Sequence, residues 1–143
     1  MAETIKTNNF KETQKLGEKL AKDILSGKIA SKIICLSGDL GAGKTTFAQG
    51  ILKGLKVAGP YTSPTFVIMK KYENNIYHLD AYRVSADDIL NLGWEELIAP
   101  PAGGSKNIII VEWADRIRKI IPKNRVWINF EWIDEKKRKI TFR

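Results

Sequence analysis

Residues 38–45 read GDLGAGKT and match the phosphate-binding pattern G-x-x-x-x-G-K-[ST] at every fixed position. The glycines permit a tight turn and a close approach of the backbone, so that successive N–H groups can converge on an anion. Lys44 would reach β- and γ-phosphate oxygens, and the Thr45 hydroxyl is suited to Mg2+. The loop therefore predicts a binding site for a nucleotide polyphosphate.

The segments on either side of this loop agree with that prediction. The apolar run 33–36 indicates a strand before the loop, and the segment 44–55 (KTTFAQGILKGL) indicates a helix after it. The N-terminal end of that helix would add its positive dipole to the anion site. From the loop we expect nucleotide contacts from Asp39, Gly41, Ala42, Gly43, Lys44, Thr45 and Thr46.

Two carboxylates end apolar segments and are candidates for binding a metal ion and water. Glu112 follows four consecutive apolar residues, and Asp80 follows the strand-like segment IYHL. In many P-loop proteins a carboxylate at the end of another core strand holds Mg2+ directly or through water. We therefore expect both carboxylates to be catalytic together with Lys44, and to surround the metal together with Thr45. The alternative is that each carboxylate is simply exposed at a strand end.

Side chains next to the two carboxylates have alternative interpretations. His78 is the single histidine, and a packed, hydrogen-bonded role in a strand is at least as well supported as a catalytic one. Trp113 is either an anchor for a partner protein or part of the core. Beside Asp80, Tyr82 and Arg83 either face a phosphate or take part in ordinary surface contacts.

These residues must be positioned by a helix and a loop that flank the phosphate loop. Apolar residues from Phe10 to Leu25 recur at helical spacing, Asn8 or Asn9 is a suitable N-cap, and Gly27 follows the end. The segment 57–66 (VAGPYTSPTF) is rich in Pro, Gly, Ser and Thr, which predicts an irregular loop of switch-like character.

The remaining sequence alternates between strand and helix signals. Strands are predicted at 66–72 and 76–82 as an antiparallel pair, at 107–112 as a strand covered on both faces, and at 125–132 and 138–143 as a hairpin at the sheet edge. A short helix capped by Ser85 and a second helix over 114–121 complete the pattern. We predict an α/β, P-loop NTPase-like fold whose central sheet is largely parallel, with antiparallel additions at its edges and helices on both faces.

Bulk composition bounds the class of protein. The 143 residues fit a single P-loop ATPase domain spanning 1–143, and the formal net charge of +8 is compatible with nucleic acid, an acidic partner or the nucleotide alone. Cys35 is the one cysteine, which excludes a disulfide framework and suggests a small buried apolar side chain. No signal peptide or membrane span is apparent, so we expect a cytoplasmic protein.

Several segments, taken in order, give the chain a resemblance to a known family. GDLGAGKTT (38–46), SPTF (63–66), YHLDAYR (77–83), LG (92–93) and VEW (111–113) resemble the bacterial TsaE (YjeE) family. The resemblance implies a small P-loop ATPase, using ATP and Mg2+, that serves the biosynthesis of threonylcarbamoyladenosine beside the anticodon of tRNA. It also implies association with the TsaB and TsaD subunits, and ATP hydrolysis would reset the complex that they form. Contact with tRNA would be indirect.

The resemblance assigns roles to individual residues. Lys44 and Thr45 match the family's phosphate and Mg2+ residues, and Asp80 and Glu112 match its acidic pair. Outside the strong motifs, Phe10, Thr13 and Arg138 are expected to frame the nucleotide. A switch and partner-binding face is expected to contain Ser63, Thr65, Tyr82, Arg83 and Trp113.

Other functions compete with this one. A small-molecule kinase would use the same loop for phosphoryl transfer to an acceptor, although the length leaves little room for an acceptor pocket and lid. A GTPase is disfavoured because no N-K-x-D segment is present to bind guanine. A nucleotide-dependent RNA-binding module would use the basic run KKRK at 136–139, which is otherwise a solvated hairpin end. Neither DNA nor a membrane is expected as a partner.

Overall fold

The computed structural model describes residues 2–61, 68–99 and 107–143. These residues form one mixed sheet with helices packed on it. The strands are β1 (Glu3–Thr7), β2 (Ile33–Gly38), β3 (Met69–Tyr72), β4 (Ile76–Asp80), β5 (Ile108–Glu112), β6 (Val126–Trp132) and β7 (Arg138–Phe142). The α-helices are α1 (Phe10–Leu25), α2 (Lys44–Gly54), α3 (Ala86–Leu90) and α4 (Trp94–Ile98), and 3-10 turns span Glu73–Asn75 and Ala114–Ile120.

The strand order of the sheet is β1-β7-β6-β2-β5-β4-β3. The four central strands β6, β2, β5 and β4 are parallel to one another, while β3 pairs antiparallel with β4 at one side, and β7 pairs antiparallel with β6 and β1 at the other. Parallel strands place their carboxyl ends at one edge, which is where ligands bind in open α/β sheets. The predicted fold class is confirmed, including its antiparallel additions.

Both faces of the sheet are covered, which explains why the central strands are apolar throughout. One buried cluster joins Ile34, Leu36 and Ile110 to the inner sides of α1 and α2. The opposite cluster joins residues such as Cys35 and Val111 to α3, α4 and the 3-10 turn. All residues of β5 are buried, as the continuous apolar run predicted.

Helices α1 and α2 approach each other closely because glycines lie at their contact. A Cβ atom added to Gly17 would lie 2.3 Å from the Phe47 carbonyl oxygen, and one added to Gly50 would lie 2.0 Å from the Gln14 carbonyl oxygen. Asn9 caps α1 by accepting the Glu12 N–H, which confirms the predicted start of that helix. The close packing holds the start of α1 beside the phosphate loop.

The structure corrects two sequence predictions about secondary structure. The predicted helix after β5 is present over Ala114–Ile120, but it is a 3-10 helix broken at Ile117 (φ −123°) rather than an α-helix. Trp113 precedes this turn without a side-chain cap, and short helices depend strongly on capping. The C-terminal hairpin is not the sheet edge, because β1 pairs along β7 with Ile5 opposite Ile140. The sequence did not predict β1 because its residues are mostly polar, as is possible in an edge strand that buries little apolar surface.

Two further predictions concern the loop at 57–66 and the absence of a membrane span. Residues 62–66 of the predicted switch-like loop lie outside the described ranges, and so does the start of the strand predicted from residue 66. Within the described ranges, no helix has both the length and the apolar character needed to cross a membrane.

Candidate active site

The loop between β2 and α2 has the backbone geometry that its glycines predicted. Gly38 has φ +132°, and a Cβ atom there would lie 2.1 Å from the Phe130 carbonyl oxygen of the neighbouring strand β6. Gly43 also has a left-handed conformation (φ 101°) at the first position before α2. Since side chains are strained or blocked at both positions, glycine is required to turn the chain from the strand into the helix.

A cavity of about 800 Å³ opens over this loop. Its walls come from the loop, the start of α1, the ends of β4 and β5, and the turn before β7. The volume lies within the range of pockets that bind small ligands. The predicted residues that line it are Phe10, Thr13, Gly41, Gly43, Lys44, Thr45, Thr46, Asp80, Tyr82, Arg83, Glu112, Trp113 and Arg138.

Lys44 is folded back onto the phosphate loop in this structure. Its Nζ donates hydrogen bonds to the carbonyl oxygens of Gly38 (2.8 Å) and Asp39 (2.6 Å), and it lies 4.0 Å from the centroid of the Trp113 ring. Burial lowers the pKa of the ammonium group, and the nearby carboxylate of Glu112 opposes this shift most strongly. The charge is therefore held at the cavity by dipoles and a π face, in a position from which it can turn towards an anion.

Glu112 links the end of β5 to the phosphate loop. Its carboxylate is almost fully buried, and Oε1 accepts a hydrogen bond of 2.7 Å from the Thr45 hydroxyl. Leu36 of β2 lies opposite Glu112 in the parallel ladder, which places the carboxylate directly beside the start of the loop. The alternative that this group is an exposed strand-end carboxylate is therefore wrong.

Asp80 lies next to Glu112 in the register of β4 and β5. Its Oδ1 accepts the backbone N–H of Tyr82 at 2.9 Å, and the residue is half-buried. Burial raises the pKa of this carboxyl most strongly, the Tyr82 N–H lowers it, and the charge of Glu112 raises it further. Two neighbouring acidic groups in a partly dry cavity favour the arrival of a cation, because a positive charge would offset the repulsion between them.

His78, for which the sequence left a packed role and a catalytic role open, lies against Glu112 in the structure. Its Nε2 is 2.6 Å from Oε2 of Glu112, and both side chains are buried. Alternation along β4 was the available signal, since His78 and Asp80 are two residues apart and share one face of the sheet. Its contact with Glu112 depends on the register between β4 and β5, which the sequence does not reveal.

Two aromatic side chains form the wall beyond Lys44, and Arg116, which does not line the cavity, packs against them. The ring centroids of Tyr82 and Trp113 are 4.7 Å apart, and the Arg116 guanidinium lies 4.8 Å from the Tyr82 ring centroid and 5.6 Å from that of Trp113. Trp113 has a left-handed backbone conformation (φ 58°), which is uncommon for a bulky residue. The side chain thus packs at the cavity rather than continuing the strand, and Arg116 is a participant that the sequence did not single out.

The opposite wall is built by α1 and the turn between β6 and β7. The Thr13 hydroxyl is 2.7 Å from that of Thr7, and its methyl group faces Gly43. Arg138 donates to the carbonyl oxygens of Asp134 and Lys137, so its guanidinium is tied to the turn. Phe10 leaves 66% of its surface exposed at the rim, a large apolar surface beside the cavity.

Four residues of the predicted site lie elsewhere or outside the described ranges. Asp39 lines an adjoining smaller pocket rather than the main cavity, and the Ala42 side chain is fully buried in the core. Ser63 and Thr65 lie outside the residues that the structure describes. A contribution from Asp39 and Ala42 to nucleotide binding would therefore come through the loop backbone.

The donor set fits a magnesium nucleotide. A hydroxyl and two carboxylates are the hard oxygen ligands that Mg2+ prefers, and the ion commonly uses only one or two protein groups together with phosphate oxygens. Thr45, Glu112 and Asp80 could hold the ion, while the loop backbone and Lys44 face the place that phosphates would take.

The parallel core, the glycine loop between β2 and α2 and the lysine at the cavity together define a P-loop protein of the α/β class. Residues 7–140 match the family described as "Threonylcarbamoyl adenosine biosynthesis protein TsaE". The chain belongs to the TsaE family, as the resemblance predicted.

Individual relatives support the same assignment. The chain is 34% identical over 140 residues to the tRNA threonylcarbamoyladenosine biosynthesis protein TsaE of Bacillus subtilis (96% of this chain, 82% of the relative). It is 37% identical over 134 residues to the TsaE protein of Aquifex aeolicus (90% and 86%). It also resembles the crystal structure of YdiB from Bacillus subtilis, with a TM-score of 0.71, 27% identity and coverage of 99% of this chain and 84% of that one.

Proposed function

We propose that this protein is a Mg2+-dependent ATP hydrolase that serves threonylcarbamoyladenosine modification of tRNA as an accessory to TsaB and TsaD. One observation carries the hydrolytic part of the proposal: the Thr45 hydroxyl is hydrogen-bonded to the buried carboxylate of Glu112. This contact joins the phosphate loop to the candidate carboxylate, which is the pairing that a P-loop NTPase requires. Membership of the TsaE family supports the assignment to tRNA modification.

Each residue has a separate task in the proposed reaction. The loop backbone and Lys44 bind the phosphate oxygens and offset the negative charge that develops on them. Thr45, Glu112 and Asp80 would hold Mg2+ through their oxygen atoms, and the bound ion would supply positive charge beside the phosphates. Glu112 or Asp80 orients the attacking water, and the remaining acidic group keeps the ion in place. Adenine is favoured over guanine by elimination only.

Partner binding is assigned to the surface around the cavity mouth. Tyr82, Arg116 and Trp113 present aromatic and cationic groups there, and Leu40 at the tip of the phosphate loop is 78% exposed. Aromatic and arginine side chains are enriched in protein interfaces. Binding of ATP would reorder this surface because Lys44 touches Trp113, and hydrolysis would then release the TsaB and TsaD subunits.

Two further points complete the proposal. tRNA would be affected indirectly, through the modification complex, and the reaction would take place in the cytoplasm. Two side chains of the basic run 136–139 are engaged within the hairpin: Arg138 donates to the carbonyl oxygens of Asp134 and Lys137, and Lys139 pairs with Glu131. These contacts favour a solvated hairpin over a dedicated RNA-binding module.

The experiment compares phosphate release from ATP by the purified protein alone, with TsaB, with TsaD and with both subunits. Lys44→Ala provides the blank, because it removes the phosphate-binding ammonium group. We expect weak hydrolysis alone and a clear increase with both subunits. ATP consumption that requires a small-molecule acceptor, with no effect of the subunits, would instead favour a kinase.

A further inference from the structure

His78 and Glu112 form a buried contact that the proposed reaction does not yet use. The imidazole Nε2 and the carboxylate Oε2 are 2.6 Å apart, and the two residues are 1% and 2% exposed. A polar pair at this depth requires hydrogen bonds to offset its desolvation. The contact joins β4 to β5 directly behind the cavity.

The hydrogen-bonding pattern defines which imidazole nitrogen carries the hydrogen. A carboxylate accepts but does not donate, so Nε2–H must be the donor towards Oε2. Nδ1 is buried and has no hydrogen-bond partner among the described residues. The two ring nitrogens therefore differ: one makes a short contact with the site, and the other makes none.

Glu112 is held at both of its oxygens. Oε1 accepts the Thr45 hydroxyl and Oε2 faces His78. A Thr45 hydroxyl that binds a metal ion through an oxygen lone pair can still donate its hydrogen to Oε1. The contact with His78 is on the other oxygen and persists, so the carboxylate keeps one fixed orientation.

We propose that His78 is a positioning residue that orients the Glu112 carboxylate through its Nε2–H. This inference rests on the proposed ATP hydrolysis. Groups that orient the residues around a metal affect activity by about 10- to 100-fold when they are removed. His78 does not touch the cavity, so its effect appears in turnover rather than in nucleotide affinity.

Three substitutions at one position separate orientation from packing. His78→Gln places an amide donor near the former Nε2, His78→Asn places one near Nδ1, and His78→Leu removes both. Among the described residues only Nε2 of His78 has a partner. We therefore expect Gln to retain kcat within about threefold, and Asn and Leu to lower kcat by about 10- to 100-fold. KM for ATP and the binding of ADP should change little in all three variants.

The same variants show when the inference fails. Equal losses in the Gln and Asn variants that follow their melting temperatures would show that His78 only fills the core. Full activity of the Leu variant would also overturn the inference.

A second measurement does not depend on hydrolysis. His78 is the only histidine, so 15N-histidine labelling gives one imidazole spectrum without ambiguity. We expect the hydrogen on Nε2 and a marked change of that resonance in Glu112→Gln. A hydrogen on Nδ1 alone would overturn the positioning role. Absence of Lys44-dependent hydrolysis in the wild type, with the expected spectrum, would instead overturn the proposed function and leave the contact intact.

Discussion

Lys44 lies over the ring of Trp113, with 4.0 Å between the ammonium nitrogen and the ring centroid. The same ammonium group donates to two carbonyl oxygens of its own loop. A bound polyphosphate would compete with all three contacts, because a lysine has three donors and a charge-assisted bond to phosphate is stronger than one to a neutral carbonyl. Nucleotide binding and the environment of Trp113 are therefore coupled.

We predict that ATP with Mg2+ changes the intrinsic fluorescence of the protein through Trp113. Trp113→Phe should still bind ATP but lose most of that change. The three other tryptophans would remain as a background signal. Lys44→Ala should weaken ATP binding by about 10- to 100-fold, the value of one or two charge-assisted hydrogen bonds. A full fluorescence response in Trp113→Phe would contradict the coupling.

A second prediction concerns Thr45 and the metal ion. Thr45→Val keeps the shape of the side chain but removes the hydroxyl, so the part of ATP affinity that depends on Mg2+ should fall, together with hydrolysis. Thr45→Ser keeps the hydroxyl and should retain both. Titrations of ATP with Mg2+ and with EDTA provide the measurement, and equal Mg2+ dependence in Val and Ser variants would show that the hydroxyl is not a ligand.

The contact between α1 and α2 predicts that a Gly→Ala substitution there destabilises the protein, whereas the same substitution in an open helix is stabilising. Replacing Gly by Ala inside an open helix stabilises it by about 1 kcal/mol. Gly50→Ala should instead destabilise the protein by about 3 kcal/mol, because the new Cβ would meet the Gln14 carbonyl oxygen at 2.0 Å.

Gly27→Ala is the matched control for this prediction. Nothing lies within 4 Å of the added Cβ there, and only its positive φ of +83° adds strain, about 1 kcal/mol. Urea unfolding of both variants tests the difference. A Gly50→Ala variant as stable as the wild type would show that the helices can separate without cost.

The buried thiol of Cys35 makes the free energy of unfolding depend on pH in the alkaline range. Burial raises its pKa from 9.0 to about 12, opposed in part by the charges of Arg125 and Arg118. The folded state thus retains a proton that the unfolded chain releases, so this contribution to stability is complete below pH 9 and is lost between about pH 9 and 12. Cys35→Ala should show a smaller loss of unfolding free energy over that range in urea titrations. Parallel pH profiles for the two proteins would contradict this account.

Local signals were sufficient for part of the site. Gly41, Gly43, Lys44 and Thr45 lie within five residues of each other, so their spacing alone placed them at one cavity. Asp80 and Glu112 were predicted because each ends an apolar segment, and P-loop proteins commonly hold Mg2+ with a carboxylate at the end of a core strand. These inferences require no knowledge of which strands are neighbours.

The other features of the site and fold could not be predicted from the sequence, because they depend on pairing between strands that are distant in the chain. His78 meets Glu112 only because β4 lies beside β5 in one particular register, and a shift of one residue would turn the imidazole to the other face. β1 has a polar alternating sequence and is held by its pairing with β7. The left-handed backbone at Trp113, which starts the 3-10 turn, has no sequence signal in a residue of this size.

The claim that ATP hydrolysis serves tRNA modification is tested most directly by multiple-turnover threonylcarbamoylation of tRNA with TsaB, TsaD and this protein. We expect sustained product formation with the wild type. With Glu112→Gln, which should bind ATP but not hydrolyse it, we expect at most one product per complex. Sustained turnover with Glu112→Gln, equal to that of the wild type, would contradict the account.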